Sequence, residues 1–239
     1  MSRTAVVVGV GPGLGEAVAR RFAREGCNVA LVARSEEYLE DLSADLREDG
    51  GAAQAVPMDI TDPEAVAEGF ETIHDDFGSI DALIDCAYST ETTDGGIEEV
   101  DIDALRGAWR VETEGAFRCV KAALPDLLDN GGTVIFTNSS QSKRASAEGF
   151  TRSIARFGLR GFAQGLARDL GPKGIHVTHV LVDGWIDKPS LREFAPDRPD
   201  EQWIDPVEVA DTYWRLVTQD RSAWTFELDL RPYTDSIDV

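Results

Sequence analysis

The chain has 239 residues, with 23 Lys plus Arg against 44 Asp plus Glu and a formal charge of −21. That field argues against nucleic acid or an anionic membrane as a partner, and 42% hydrophobic residues exclude a disordered acidic chain. The length suits one large α/β domain or two small ones, and buries a core without cross-links.

In chain order, MSRTAVVV runs straight into a strand over Thr4–Val8, which leaves no room for a signal peptide. A glycine run over 9–15 follows, then a helix over Leu14–Glu25, a strand over Asn28–Ala33 and a helix over Glu36–Glu48. Next come a strand over Ala53–Met58, a helix over Pro63–Asp76 and a strand over Ala82–Cys86. One long helical pattern spans Ile102–Asp129, and a strand is expected over Thr133–Thr137. The C-terminal part reads as a helix over Phe150–Leu170, a strand over His176–Val182, a helix over Pro206–Gln219 and a strand over Thr225–Leu230. Ser35, Asp62-Pro63 and Asp205-Pro206 mark helix starts, and Gly26, Gly50 and Gly171 mark helix ends. The strands are short and almost wholly apolar or β-branched, as strands buried on both faces are. Strand–helix alternation along the whole chain implies a doubly wound parallel sheet of about seven strands, with helices on both faces, in one domain over 1–239. No apolar run is long enough to span a bilayer. The irregular stretch Asp187–Trp203 holds Pro189, Pro196 and Pro199 and follows a strand's C-terminal end, so 187–205 is expected to be a substrate flap, with 206–239 forming the last helix and strand.

Two features describe the environment. Cys27, Cys86 and Cys119 are widely spaced and make no metal-ligand pattern, so no metal is expected and a reducing cytoplasmic setting follows. Lys occurs only at 121, 143, 173 and 188, and this excess of carboxylate over few Lys is similar to proteins of salt-loving organisms. At molar salt the Debye length is about 3 Å, so self-repulsion is screened.

The glycine run carries the first chemistry. Strand TAVVV enters Gly9-Val10-Gly11-Pro12-Gly13-Leu14-Gly15, and a helix follows. Glycines keep the turn tight and let backbone N–H groups reach a diphosphate, where the helix N-terminus adds partial positive charge. Here the sequence resembles the short-chain dehydrogenase/reductase family, whose opening TGxxxGxG is matched by Gly9, Gly13 and Gly15, with Val8 replacing the Thr. Asp59 in MDITD, Ser139-Ser140 after TVIFT and the segment GLRGFAQGLARDLGPKGIHV extend the resemblance over residues 4–231. It implies a Rossmann-type fold, a nicotinamide dinucleotide, a carbonyl or alcohol substrate and a homodimer or homotetramer. Cofactor-binding positions are then Gly9, Gly11, Gly13, Leu14, Gly15, Arg34, Asp59, Ile60, Ala87, Gly184 and Ile186. The second strand ends in Ala33-Arg34-Ser35 with no acid before Glu36. A carboxylate there would favour NAD, whereas Arg34 fits a 2′-phosphate, so NADP is expected over NAD.

The family's catalytic set of Asn, Ser, Tyr and Lys falls on Glu112, Ser140 (or Ser139), Arg152 and Arg156. An arginine has no acceptor and stays protonated, so Arg152 cannot cycle a proton as a phenol does. The family's NNAG becomes Asp85-Cys86-Ala87-Tyr88, and its PGxxxT becomes Asp183-Gly184-Trp185-Ile186-Asp187-Lys188. Arg152 and Arg156, at i and i+4, share a helix face, and Glu112, Asp85 and Asp183 are expected to converge on them. Three readings stay open: a structural cluster closing a lost site, an anion site at Arg152, and acid–base chemistry relocated to Tyr88 or Glu112. The function classes are accordingly an NADP(H)-dependent oxidoreductase and a non-catalytic NADP-binding pseudoenzyme or assembly protein. His74, His176 and His179 are too scattered for a metal site or triad, Cys86 reads as a buried inert thiol, and Trp185, Trp203, Trp214 and Trp224 are placed around the flap and the last strand.

Overall fold

The computed structural model describes residues 2–90 and 95–235. Residues 1, 91–94 and 236–239 of the expected 1–239 domain lie outside the described residues. The first half alternates β1 (Thr4–Val8), α1 (Leu14–Arg24), β2 (Asn28–Ala33), α2 (Glu36–Glu48), β3 (Ala52–Pro57), α3 (Pro63–Phe77) and β4 (Ala82–Asp85). The second half has α4 (Ile102–Trp109), α5 (Ala116–Asn130), β5 (Gly132–Asn138), α6 (Phe150–Leu170), β6 (Ile175–Val182), β7 (Trp185–Ile186), α7 (Pro189–Phe194), β8 (Trp203–Ile204), α8 (Pro206–Val217) and β9 (Glu227–Leu230).

Seven strands form one parallel sheet in the order β3-β2-β1-β4-β5-β6-β9, as the strand–helix alternation predicts. The strand period of two divides each strand between two cores. Ala5 and Val7 of β1 pack with Phe22 of α1, Leu39 of α2 and Tyr213 of α8. Val6 and Val8 face the opposite layer, with Phe70 of α3, Val120 of α5 and Leu159 of α6. Helix starts follow local chemistry: the Asp62 carboxylate accepts from Glu64 N at 2.9 Å, and Asp205 accepts from Val207 N at 2.8 Å. Order reverses between β1 and β4, so both open their C-terminal ends onto one crevice, where open α/β sheets bind ligands.

Three expectations are corrected. The single helix over Ile102–Asp129 is interrupted by a π-turn over Arg110–Gly115, which separates α4 from α5. The stretch after Asp187 is not irregular: it folds into α7, a 3-10 turn over Asp200–Gln202 and a two-stranded β7–β8 ribbon. Arg192 lies over the Trp203 ring at 4.7 Å and Arg198 over the Trp185 ring at 5.1 Å, so cation–π contacts hold it against the ribbon. Trp214 is not at the flap; it packs edge-on against Phe22 of α1, and Trp224 stacks on His176. His176 and His179 are buried on opposite faces of β6, and His179 Nδ1 lies 3.2 Å from Glu227. No helix among the described residues is long and apolar enough to cross a membrane.

Candidate functional site

A cavity of about 450 Å³ opens at the crevice between β1 and β4. Its floor is the Gly9–Gly11 turn, its far wall Arg34 and Ser35 at the end of β2, and its sides Asp59, Ile60 and Ala87. The turn has no room for side chains. Gly9 has φ +83°, and a Cβ there would lie 2.5 Å from Ala87 N, so the strand ends approach backbone to backbone. A Cβ on Gly15 would lie 2.5 Å from Gly9 O, which locks the start of α1 under the turn, whereas Gly11 has nothing within 4 Å of a Cβ and faces open space. This is a cradle that leaves backbone open to the cavity, with the N-terminus of α1 adding positive potential. Gly13, Leu14, Gly15, Gly184 and Ile186 border the turn and flap without lining the cavity; Ile186 and Lys188 of the flap close over Gly13.

Charge in the cavity runs against that of the chain. Arg34 and Arg110 line it, and neither has an ion-pair partner among the described residues. Asp59 is the carboxylate among the lining residues, and its Oδ1 accepts from Thr61 N at 2.9 Å, which pins it to its own turn. Arg110 carries no motif and was not legible as a site residue in the sequence; it enters through the π-turn.

The residues aligned with the family's catalytic set lie beyond the cavity's end, and part of them form a closed network. Arg156 donates from Nε to Glu112 Oε2 at 3.2 Å, and from one terminal nitrogen to Ser139 Oγ at 2.7 Å and Gln141 Oε1 at 2.6 Å. The other oxygen of Glu112 accepts from Ser89 N at 3.2 Å. The Glu112 side chain is 3% exposed and that of Arg156 18%. Burial pushes the Glu112 carboxyl up, against the opposing pull of Arg156. The hydroxyl that meets Arg156 is Ser139, not Ser140: Ser139 follows the last residue of β5 and caps the 3-10 turn that Ser140 begins. Asn138 fixes the same corner, donating from Nδ2 to Arg156 O at 3.1 Å. Ser139, Gln141, Ser89 and Asn138 complete this hydrogen-bonded corner, and of these the motifs point only to Ser139, as a second choice.

Asp85 and Asp183 differ in their fate. Asp85 ends β4, is 3% exposed and accepts from Ala87 N at 3.0 Å. Burial, with Glu112 adding to it, pushes its carboxyl up to about 7. Asp183 does not join the cluster; it pairs with Arg144 at 3.4 Å and Arg231 at 3.5 Å. Arg152 lies one turn before Arg156, and burial followed by the charge of Arg156 lowers its guanidinium pKa. Cys86 is buried, and burial pushes its thiol up to about 12, which makes it inert. Tyr88 is half exposed, lines the cavity mouth and accepts at its hydroxyl from Lys188 Nζ at 3.1 Å.

A family model described as short chain dehydrogenase matches residues 3–196. An uncharacterized oxidoreductase of Bacillus subtilis is 28% identical over 95% of this chain and 88% of its own, and one of Staphylococcus aureus is 29% identical over 96% and 97%. A short-chain dehydrogenase from Rhodopseudomonas palustris has a TM-score of 0.82 at 29% identity, covering 97% of this chain and 99% of its own. An alcohol dehydrogenase from the archaeon Thermococcus sibiricus, complexed with 5-hydroxy-NADP, shares the fold at a TM-score of 0.88 and 24% identity, with full coverage of both chains.

Proposed function

Given that the chain belongs to the short-chain dehydrogenase family, we propose that it binds NADP(H) in the β1–β4 crevice and acts as an oxidoreductase on a carbonyl or alcohol. The observation that carries this reading is the cavity itself, a glycine cradle with two arginines in a chain of charge −21. The residues fit the dinucleotide. Backbone N–H groups of the Gly9–Gly15 turn hold the diphosphate, and Asp59 and Ile60 border the adenine. Arg34 and Ser35 take the 2′-phosphate through charge-assisted hydrogen bonds. Ala87, Gly184 and Ile186 flank the nicotinamide side. Structural neighbours crystallised with NADP-type ligands support a nicotinamide dinucleotide in this crevice. The bound cofactor supplies a hydride; the protein's part is to orient the reacting carbon, exclude water with the 187–205 flap and hold a proton near the reacting oxygen.

The test of the cofactor choice is the double variant Arg34→Asp plus Ser35→Ala. It is expected to lower the NADPH-to-NADH affinity ratio by at least about tenfold, the size of a lost charge-assisted contact. An unchanged ratio removes Arg34 as the selector.

A second reading is favoured by one observation: Arg156 commits Nε to Glu112 and one terminal nitrogen to Ser139 and Gln141, and neither arginine shuttles protons at neutral pH. On that reading the chain is a non-catalytic NADP-binding pseudoenzyme or assembly protein. Steady NADPH oxidation over a broad carbonyl panel separates the two, and its sensitivity to Tyr88→Phe or Glu112→Gln locates any relocated acid. A homodimer or homotetramer fits the exposed Phe117, Ile154 and Phe157, on α5 and α6. We place the protein in a reducing cytoplasm of high salt, on its cysteines and its charge.

A further inference from the structure

Lys188, which closes over Gly13 and donates to Tyr88, ties the flap to both sides of the crevice. Its backbone is anchored as the first residue before α7, with its carbonyl accepting from Leu191 N at 3.1 Å and Arg192 N at 3.0 Å. Its side chain leaves the flap and lies along the glycine turn: a Cβ on Gly13 would sit 3.4 Å from Lys188 Cβ and 3.5 Å from Cδ. The ammonium ends 3.1 Å from the Tyr88 hydroxyl and 5.5 Å from that ring's centroid. The neighbouring carboxylate does not compete for it, because Asp187 is held by both Nε and a terminal nitrogen of Arg192, at 2.7 and 2.8 Å. Among the described residues, in a chain with 44 carboxylates, no acid lies within ion-pair distance of Lys188 Nζ. An ammonium offers three donors and here makes one neutral hydrogen bond beside a turn shaped for an anion.

We propose that Lys188 is a further cofactor-binding residue, which gives its ammonium to the diphosphate of the dinucleotide, with Tyr88 as its resting partner. This rests on the NADP(H) reading of the same cleft. Exchange of a phenol for diphosphate oxygens replaces a neutral hydrogen bond with charge-assisted ones. It also draws the flap onto the ligand, since the lysine's carbonyl caps the start of α7. In a strongly negative protein, a local cation at the diphosphate offsets the repulsion met by an anionic cofactor.

The experiment compares Lys188→Met and Lys188→Arg with wild type, using two probes. NADPH carries the diphosphate; adenosine 2′-monophosphate carries only the phosphate assigned to Arg34. Lys188→Met is expected to raise the NADPH Kd, read by fluorescence, by about 10- to 100-fold. Its adenosine 2′-monophosphate Kd, read by calorimetry, stays unchanged, and Lys188→Arg retains most of the NADPH affinity. Tyr88→Phe, which frees the ammonium, binds NADPH at least as tightly as wild type. Equal NADPH affinity in Lys188→Met and wild type overturns the proposal, as does equal weakening of both probes. If wild type binds adenosine 2′-monophosphate but Lys188→Met leaves NADPH untouched, only the lysine's role fails. If wild type binds neither probe, the NADP(H) reading fails with it.

Discussion

The bank of the crevice built from the β1 turn and the bank built from the start of α6 hold their surfaces by different means. At the turn, backbone atoms make the site: Gly9 meets Ala87 N with no space for a side chain, and Gly11 faces open cavity. At α6, side chains make it, and Arg156 gives Nε to Glu112 and one terminal nitrogen to Ser139 and Gln141. A binding site made of backbone tolerates wide sequence change around it. A proton-transfer site made of four side chains does not, and here three of the four family types differ. The ion pair that fills the corner keeps it packed and hydrogen-bonded, so the fold persists whatever becomes of the chemistry.

The largest effect that can break this contrast is at the turn. Gly9→Ala puts a methyl against Cys86 and Ala87 backbone atoms and forces a φ of +83° on a residue with a Cβ. NADPH affinity should fall at least about 100-fold, since positive φ and a backbone clash each cost on the order of 1–3 kcal/mol. A fluorescence titration within a factor of a few of wild type would mean that backbone approach is not what forms the cradle.

The next effect is at the other bank. Glu112→Ala leaves Arg156 largely buried beside two neutral partners. Chemical denaturation should show a loss on the order of 3 kcal/mol in unfolding free energy, the size typical for breaking a buried pair. NADPH affinity should change by less than about threefold, the resolution of such cycles for non-contacting sites. Loss of cofactor binding in step with stability would show that the two banks are one site.

A smaller, pH-dependent effect comes from Asp85. Its folded pKa, about 7, is raised above the ordinary carboxyl value. Such a group contributes stability that is full below its unfolded pKa and is lost as pH rises through the folded value. Asp85→Asn, which cannot ionise, should therefore be more stable than wild type at pH 8, by roughly 4 kcal/mol. The advantage should shrink steadily from pH 7 towards pH 4. A gap that is flat with pH would place the ionisation of Asp85 elsewhere.

Much of the fold was legible because its signals are local. Glu36–Glu48 and Phe150–Leu170 coincide with the expected helices, and β1 and β2 with the expected strands, since buried parallel strands are uniformly apolar and Gly or Asp-Pro pairs mark the ends between them. The π-turn at Arg110–Gly115 was not legible: one extra residue in a helical turn leaves the composition helical while rotating Glu112 and Arg110 to new directions. The flap's order was hidden for another reason. Three prolines read as breaks, whereas the contacts that organise it, Arg192 on Trp203 and Arg198 on Trp185, join residues through space. At the corner, the sequence brings Glu112 and Arg156 together correctly but misplaces Asp183, whose partners Arg144 and Arg231 come from a loop and from beyond β9. Ser139 and Ser140 both follow the last residue of β5 and differ only in the 3-10 turn that Ser139 caps and Ser140 begins, a turn that no motif marks.

The most direct test of the account is a fluorescence titration of the wild-type protein with NADPH and with NADH in molar salt, where the charge of −21 is screened. Saturable binding of NADPH, at least about tenfold tighter than NADH, is the predicted result, as one charge-assisted phosphate contact is worth that much. Absence of binding by either dinucleotide would contradict the assignment of the β1–β4 crevice as a cofactor site.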